Sequence, residues 1–182
     1  MRESQLVGQT VVVIGGSAGI GLETARIARA EGADVILTAR DPDRLERAGR
    51  EVGSQRTAAF DSTDTASLAT FFRDLSTIDH VMVTGPGPHY TPLLEMDAAR
   101  VRDAISDHVV LALEVARNAI GKMRAGGTLL FMGGTGGRRM DHRLGIVSAA
   151  TAALPPFTAA LARDVRRLGR DRAVACSADR VR

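Results

Sequence analysis

The chemistry this chain offers begins at a cluster of glycines. Gly15, Gly16, Gly19 and Gly21 follow directly on Thr10–Ile14, a β-branched run without charge. Glycine serves three ends at such a place. The chain turns sharply out of a strand, the backbone comes close to a phosphate, and a helix lies close against the sheet. The helix start adds unpaired N–H groups and a positive dipole end, which suit a diphosphate. Gly15, Ser17, Ala18, Gly19, Ile20 and Gly21 are therefore candidate cofactor-binding residues. Groups able to move protons are sparser. Tyr90 is the only tyrosine, and His89, His108 and His142 with Asp141 fall near predicted strand ends or a late helix. His80 sits at a strand start, where packing is its expected role. The histidines are scattered and the single Cys176 lies far from them, so no metal-ligand spacing is present.

The elements that must position these groups alternate between strand and helix patterns. The helix after the glycines is predicted over 19–31, with Ile20, Thr24, Ile27 and Ala28 on its buried face. Further strands are predicted over 33–39, 56–60, 79–84 and 127–132. Asp41 before Pro42 marks one helix start, residues 62–64 another, and Asp97 caps a long helix predicted over 98–123. A last helix begins near Leu144 and runs beyond Leu161, disturbed by Pro155 and Pro156. This alternation predicts an α/β fold: a Rossmann-type, doubly wound parallel sheet of strand order 3-2-1-4-5, with residues 172–177 as a candidate short sixth strand. The ligand crevice is expected where the strand order reverses, between the Gly15–Gly21 turn and the loop from Gly85 to Thr91.

Composition narrows the classes. A chain of 182 residues with 45% hydrophobic content makes one domain and one core. With five Phe, one Tyr and no Trp, that core is expected from Val, Leu, Ile and Ala. The same scarcity argues against base-stacking platforms for nucleic acid. The net charge of +3 resides in the C-terminal residues 163–182, with seven Arg against three Asp, which leaves the rest of the chain slightly acidic. One cysteine allows no internal disulfide, and no apolar run approaches a membrane span, so a soluble cytoplasmic protein without membrane or nucleic-acid partners is expected.

The spacing Gly15-Gly16-Ser17-Ala18-Gly19-Ile20-Gly21, after a strand and opening a helix, resembles the N-terminal fingerprint of the short-chain dehydrogenase/reductase family. The resemblance spans residues 7–164 and makes these an NADP(H)-binding domain (1–164), with 165–182 as an Arg-rich tail or short edge strand. By this resemblance Asp61, with Ser62 beside it, falls where the family contacts adenine, although a plain turn or helix cap explains Asp61 equally well. Val83-Thr84-Gly85-Pro86 falls on the family's Asn-Asn-Ala-Gly, where only the small Gly85 matches, with Gly87 following. NAD-preferring members carry an Asp at the end of the second strand. Here Ala39 stands there and Arg40 follows, and an arginine binds a 2′-phosphate through charge-assisted bonds. The resemblance therefore implies NADP(H) as cofactor, with a surface pairing of Arg40 to Asp41 or Asp43 as the alternative.

The catalytic positions depart from the family. Its Tyr, Lys, Ser and Asn correspond to Val147, Thr151, Gly134 and Ser106. Valine donates no proton, and threonine supplies no positive charge, although its hydroxyl can touch a ribose. General acid/base catalysis contributes about 10²–10⁴ in rate, and its usual groups are absent. Tyr90, Ser106, His142, Ser148 and Thr151 remain as weak catalytic candidates. Relatives also continue through a sixth strand, a substrate-covering segment and a seventh strand. The chain thus reads as a truncated or frame-shifted form of a longer ancestor, and its proline pair puts the family's dimer helices in doubt. The resemblance implies an oxidoreductase on a carbonyl or alcohol substrate, as a homodimer or homotetramer. The alternatives are an inactive NADP(H)-binding sensor or scaffold, or a remnant.

Overall fold

A computed structural model describes residues 5–85, 90–134, 141–169 and 172–176. In chain order the elements are β1 (Thr10–Ile14), α1 (Gly19–Ala30), β2 (Asp34–Ala39), α2 (Pro42–Val52), β3 (Arg56–Ala59), α3 (Thr65–Arg73) and β4 (Ile78–Val83). A 3₁₀ turn (Leu93–Glu95) leads into α4 (Ala98–Ile105), a π-helical turn (Ser106–Val110) and α5 (Leu111–Ala119). Then come β5 (Met123–Phe131), α6 (Gly145–Ala152), α7 (Leu154–Arg167) and β6 (Arg172–Cys176). The strands form one parallel sheet in the order β3-β2-β1-β4-β5-β6. The predicted order is present, and the sixth strand pairs with β5 at the edge, Phe131 opposite Cys176.

β1 shows why an uncharged β-branched run becomes the central strand. Its side chains alternate between two cores, Val12 and Ile14 on one face and Val11 and Val13 on the other, all at most 5% exposed. The first face is covered by α3, α5 and α7, whose Leu68, Phe72, Val115, Leu154 and Val165 meet Val81, Leu129 and Phe131. Phe71, Phe72 and Phe131 belong to this core, so it is less purely aliphatic than composition implied. The second face is covered by α1 and α2 over β1 and β2. Asp41, Asp64 and Asp97 accept backbone N–H bonds from Arg44, Ala66 and Arg100, capping α2, α3 and α4 at the predicted places.

Three expectations need correction. The buried face of α1 is Gly21, Ala25 and Ala28, whereas Ile20 and Ile27 are more than half exposed. Small residues win because this helix lies too close to the sheet for larger side chains. The helix predicted over 98–123 is split by the π-helical turn, an insertion that hydrophobic periodicity does not reveal. The proline pair does not sit inside a helix. α6 ends at Ala152, and Pro155 and Pro156 lie in the first turn of α7, where a missing N–H costs little. The stretch Gly145–Arg167 passes a length and hydropathy test for a membrane span. Its Leu154 and Val165 nonetheless pack in the sheet core.

Polar side chains tie the N-terminal end of the sheet. Asp79, 8% exposed, accepts from the Thr10 N–H at 2.8 Å and from Arg124 at 2.7 Å. His80 does more than pack: its Nε2 lies 2.6 Å from Gln9 Oε1, and its Nδ1 accepts the Thr128 N–H at 3.2 Å. Only the neutral ring with its proton on Nε2 satisfies both. Burial holds the His80 pKa below that of a free histidine, against the pull of Asp79. The unfolded chain therefore binds the proton more readily, and His80 adds stability that is full above about pH 6.5 and is lost as pH falls through the folded pKa. Thermal melts below pH 6.5 should show a steeper loss for the unmodified chain than for His80→Gln. Equal slopes would remove His80 from the acid response.

Candidate functional site

At the C-terminal ends of β1, β2 and β4 the sheet opens into a cleft of about 570 Å³. It lies where the strand order reverses between β1 and β4. Its floor follows from the glycine turn. Gly15 and Gly16 donate their N–H groups to Thr38 O at 3.0 Å, which bends the chain away from the sheet. Gly15 has φ +88°, and a Cβ there would fall 2.2 Å from Thr84 Oγ1. That hydroxyl donates to Ile14 O at 3.0 Å and latches the end of β4 to the turn. A Cβ on Gly21 would fall 2.3 Å from Gly15 O, so α1 can reach its position only with glycine there. The helix start has no side-chain cap. Its first N–H groups, at Gly19, Ile20 and Gly21, line the cleft and are free for an anion.

The structure gathers most of the sequence-predicted cofactor residues. Gly15, Ser17, Ala18, Gly19, Ile20, Gly21, Arg40, Asp61, Ser62 and Gly85 all line this cleft. Arg40 makes no hydrogen bond or ion pair with a described residue, and Asp41 pairs with Arg44 at 3.9 Å instead. Asp61 Oδ1 accepts from the Thr63 N–H at 2.9 Å and from its hydroxyl at 2.8 Å. These bonds, with the positive charge of Arg40, hold the Asp61 carboxyl below the usual range. Asp61 thus forms a local turn at the wall of the cleft. Asp41 is likewise held ionised, chiefly by the Arg44 N–H. Sequence reasoning missed Arg44, Phe60 and Met132, which also line the cleft. The signal for Arg44 was its place in the first turn of the helix capped by Asp41.

The catalytic candidates are placed differently. Val147 and Thr151, one helical turn apart on α6, share a face, and Gly134 lies against Thr151, where an added Cβ would meet the Thr side chain at 3.2 Å. The three positions that the sequence resemblance sets against Tyr, Lys and Ser thus lie together. Thr151 is 6% exposed, and its hydroxyl donates to Val147 O at 2.8 Å. It does not line the cleft, whose described wall on this side stops at Met132. Ser148 neighbours the same helical turn, and Ser106 opens the π-helical turn. Tyr90 is 55% exposed, and His142 is exposed and paired with Asp141 at 3.5 Å. His108 directs Nδ1 at Ala104 O, 3.0 Å away. Pro86, Gly87 and His89, and the chain after Cys176, lie outside the described residues.

Comparison with known proteins settles the family. The family model for short chain dehydrogenases matches residues 9–177. The chain belongs to this family. The cyclic-di-GMP-binding biofilm dispersal mediator protein of Escherichia coli is 29% identical over 160 residues, which cover 86% of this chain and 67% of that protein. The crystal structure of BdcA in complex with NADPH is 26% identical, covers 94% of this chain and 70% of its own, and superposes with a TM-score of 0.83. A dehydrogenase/reductase from Sinorhizobium meliloti, also 26% identical, covers 96% of this chain and 72% of its own, with a TM-score of 0.86. This family member therefore spans roughly two thirds of the length of such relatives, sheet and cleft included.

Proposed function

We propose that this chain is an NADP(H)-dependent oxidoreductase of atypical build, acting on a carbonyl or alcohol substrate. The cleft carries the proposal. It offers N–H groups without a side-chain cap at the α1 start for a diphosphate and, at the end of β2, an Arg40 without an ion pair among the described residues for a 2′-phosphate. The relative crystallised with NADPH supports the same cofactor. When bound, the nicotinamide supplies a hydride donor or acceptor. The chain's own residues hold and orient it. Asp61 and Ser62 would hold the adenine end, and Gly85, without a side chain, would leave room for the ribose. At the reacting end Val147 carries no proton, Gly134 offers no hydroxyl, and the Thr151 hydroxyl is spent on Val147 O. Positioning is what this geometry contributes. The proton must come from solvent, from the substrate, or from another group, among them Tyr90, Ser106, His142 and Ser148.

The same replacements favour a second reading, an NADP(H)-binding protein without turnover. The Escherichia coli relative is named for binding cyclic-di-GMP rather than for a reaction. One pair of measurements separates the readings. Arg40→Asp should weaken NADPH binding about ten- to a hundredfold, since a bond to a charged group is worth about 1.5–3 kcal/mol, and leave NADH binding little changed. An unchanged NADPH/NADH affinity ratio would overturn the cofactor assignment. Turnover of NADPH with a ketone and aldehyde panel, lost in Arg40→Asp, supports the oxidoreductase. Tight binding with no turnover supports the second reading.

A further inference from the structure

A second groove lies along one edge of the sheet. β3 is paired on one side only, with β2. Phe60, directly after it, donates its N–H to Ala39 O at 3.0 Å. Backbone groups of successive residues in a parallel ladder point to opposite sides, so Arg56 and Ala58 also face β2. Thr57 and Ala59 then turn their N–H and C=O groups outward from the edge, and both residues are exposed. α3 runs beside the strand and closes a groove of about 380 Å³. Arg56, Ala58 and Phe60 form its strand wall, and Ser67, Thr70 and Phe71 its helix wall. Phe60 and Phe71 stack with centroids 5.2 Å apart. At one end the Arg56 guanidinium lies 6.0 Å from the Phe71 centroid and donates to the Asp74 carbonyl at 3.5 Å. Arg56 makes no ion pair with a described residue, and the Asp74 carboxylate lies 3.7 Å from Arg73 instead.

We propose that this edge docks an extended segment of a partner protein, apolar at alternate residues and acidic toward one end. The segment adds as a further strand beside β3. Its backbone bonds the outward groups of Thr57 and Ala59. Its apolar side chains enter the groove against Ala58, Phe60 and Phe71, and its carboxylate pairs with Arg56. The open backbone edge selects a strand over a helix, and the unpaired charge of Arg56 selects an acidic segment over a basic one. The docking does not depend on the cofactor. Of the groove residues only Phe60 also lines the cleft, so Arg56 and Ala59 can be changed without altering the cleft wall.

Selection of a displayed library of random peptides, each of about nine residues and so longer than a typical strand, against the full chain tests this. Enriched peptides should alternate β-branched or aromatic residues with polar ones and carry Asp or Glu toward one end. A fluorescein-labelled copy of the most enriched peptide is then titrated by anisotropy. Ala59→Pro removes one outward N–H, leaves the ladder to β2 intact, and should weaken the peptide about tenfold. Arg56→Glu should weaken it about fivefold, an exposed ion pair lost and reversed, and a peptide with Lys in place of its acidic residue should recover that loss. Thermal melts check both folds, and the charge exchange decides the matter if Ala59→Pro melts early. A library that yields no enriched peptide overturns the proposal, as do peptides that bind both variants as they bind the unmodified chain. An unmodified chain that sediments as a dimer broken by Ala59→Pro also overturns it, because a second copy then fills the edge.

Discussion

The double variant Val147→Tyr, Thr151→Lys should reduce a carbonyl substrate about 10²–10⁴-fold faster than the unmodified chain, the contribution expected of general acid/base catalysis. The geometry favours it. The two positions share one face of α6, and Gly134, without a side chain, lies directly against residue 151. A lysine charge close by would lower the tyrosine pKa and favour proton exchange near neutral pH. Valine at 147 and a self-satisfied threonine at 151 do neither. NADPH consumption with a ketone panel reads the effect, and NADPH affinity should stay within a few fold. A variant that binds NADPH equally well and turns over no faster would show that the missing proton donor is not what limits this chain.

Gly21→Val should both destabilise the fold and abolish cofactor binding. A Cβ at this position falls 2.3 Å from Gly15 O and 3.0 Å from Gly15 C, and both are backbone atoms that cannot swing aside. α1 must then move away from the turn, opening contacts of Ala25 and Ala28, both buried. Overpacking of this kind costs about 1–3 kcal/mol or more. In a chain of this length each kcal/mol lowers the melting temperature by about 2–4 °C. The same shift carries the α1 N–H groups out of line with the diphosphate position. A melt and an NADPH titration of Gly21→Val check both effects. Near-unmodified stability with intact binding would mean that the close contact of α1 with the turn is dispensable.

Much of the fold was legible because it rests on local signals. Uncharged β-branched runs gave the strands, Asp41, Asp64 and Asp97 gave the helix starts, and the glycine spacing gave the turn. The cleft-lining residues were legible for the same reason, since one strand–turn–helix unit and the end of β2 supply most of them. What stayed hidden depends on packing between distant segments. Periodicity assigned Ile20 and Ile27 to the core, but the close approach of α1 selects Gly21, Ala25 and Ala28 instead. The Asp79 and His80 ties join residues far apart in sequence and leave no periodic trace. Arg44 looked like one charge among several on a helix whose cap was recognised, and only the cleft shows which way it faces. At the catalytic end, alignment of Gly134, Val147 and Thr151 predicted a lost constellation. Their convergence in space is a fact of the fold.

Titration of the unmodified chain with NADPH and NADH at equal ionic strength tests the central claim most directly. The account predicts micromolar NADPH binding, at least about tenfold tighter than NADH, as one charge-assisted phosphate contact implies. A cooperatively folded chain that binds neither nucleotide would contradict it, leaving the family's fold without its cofactor site.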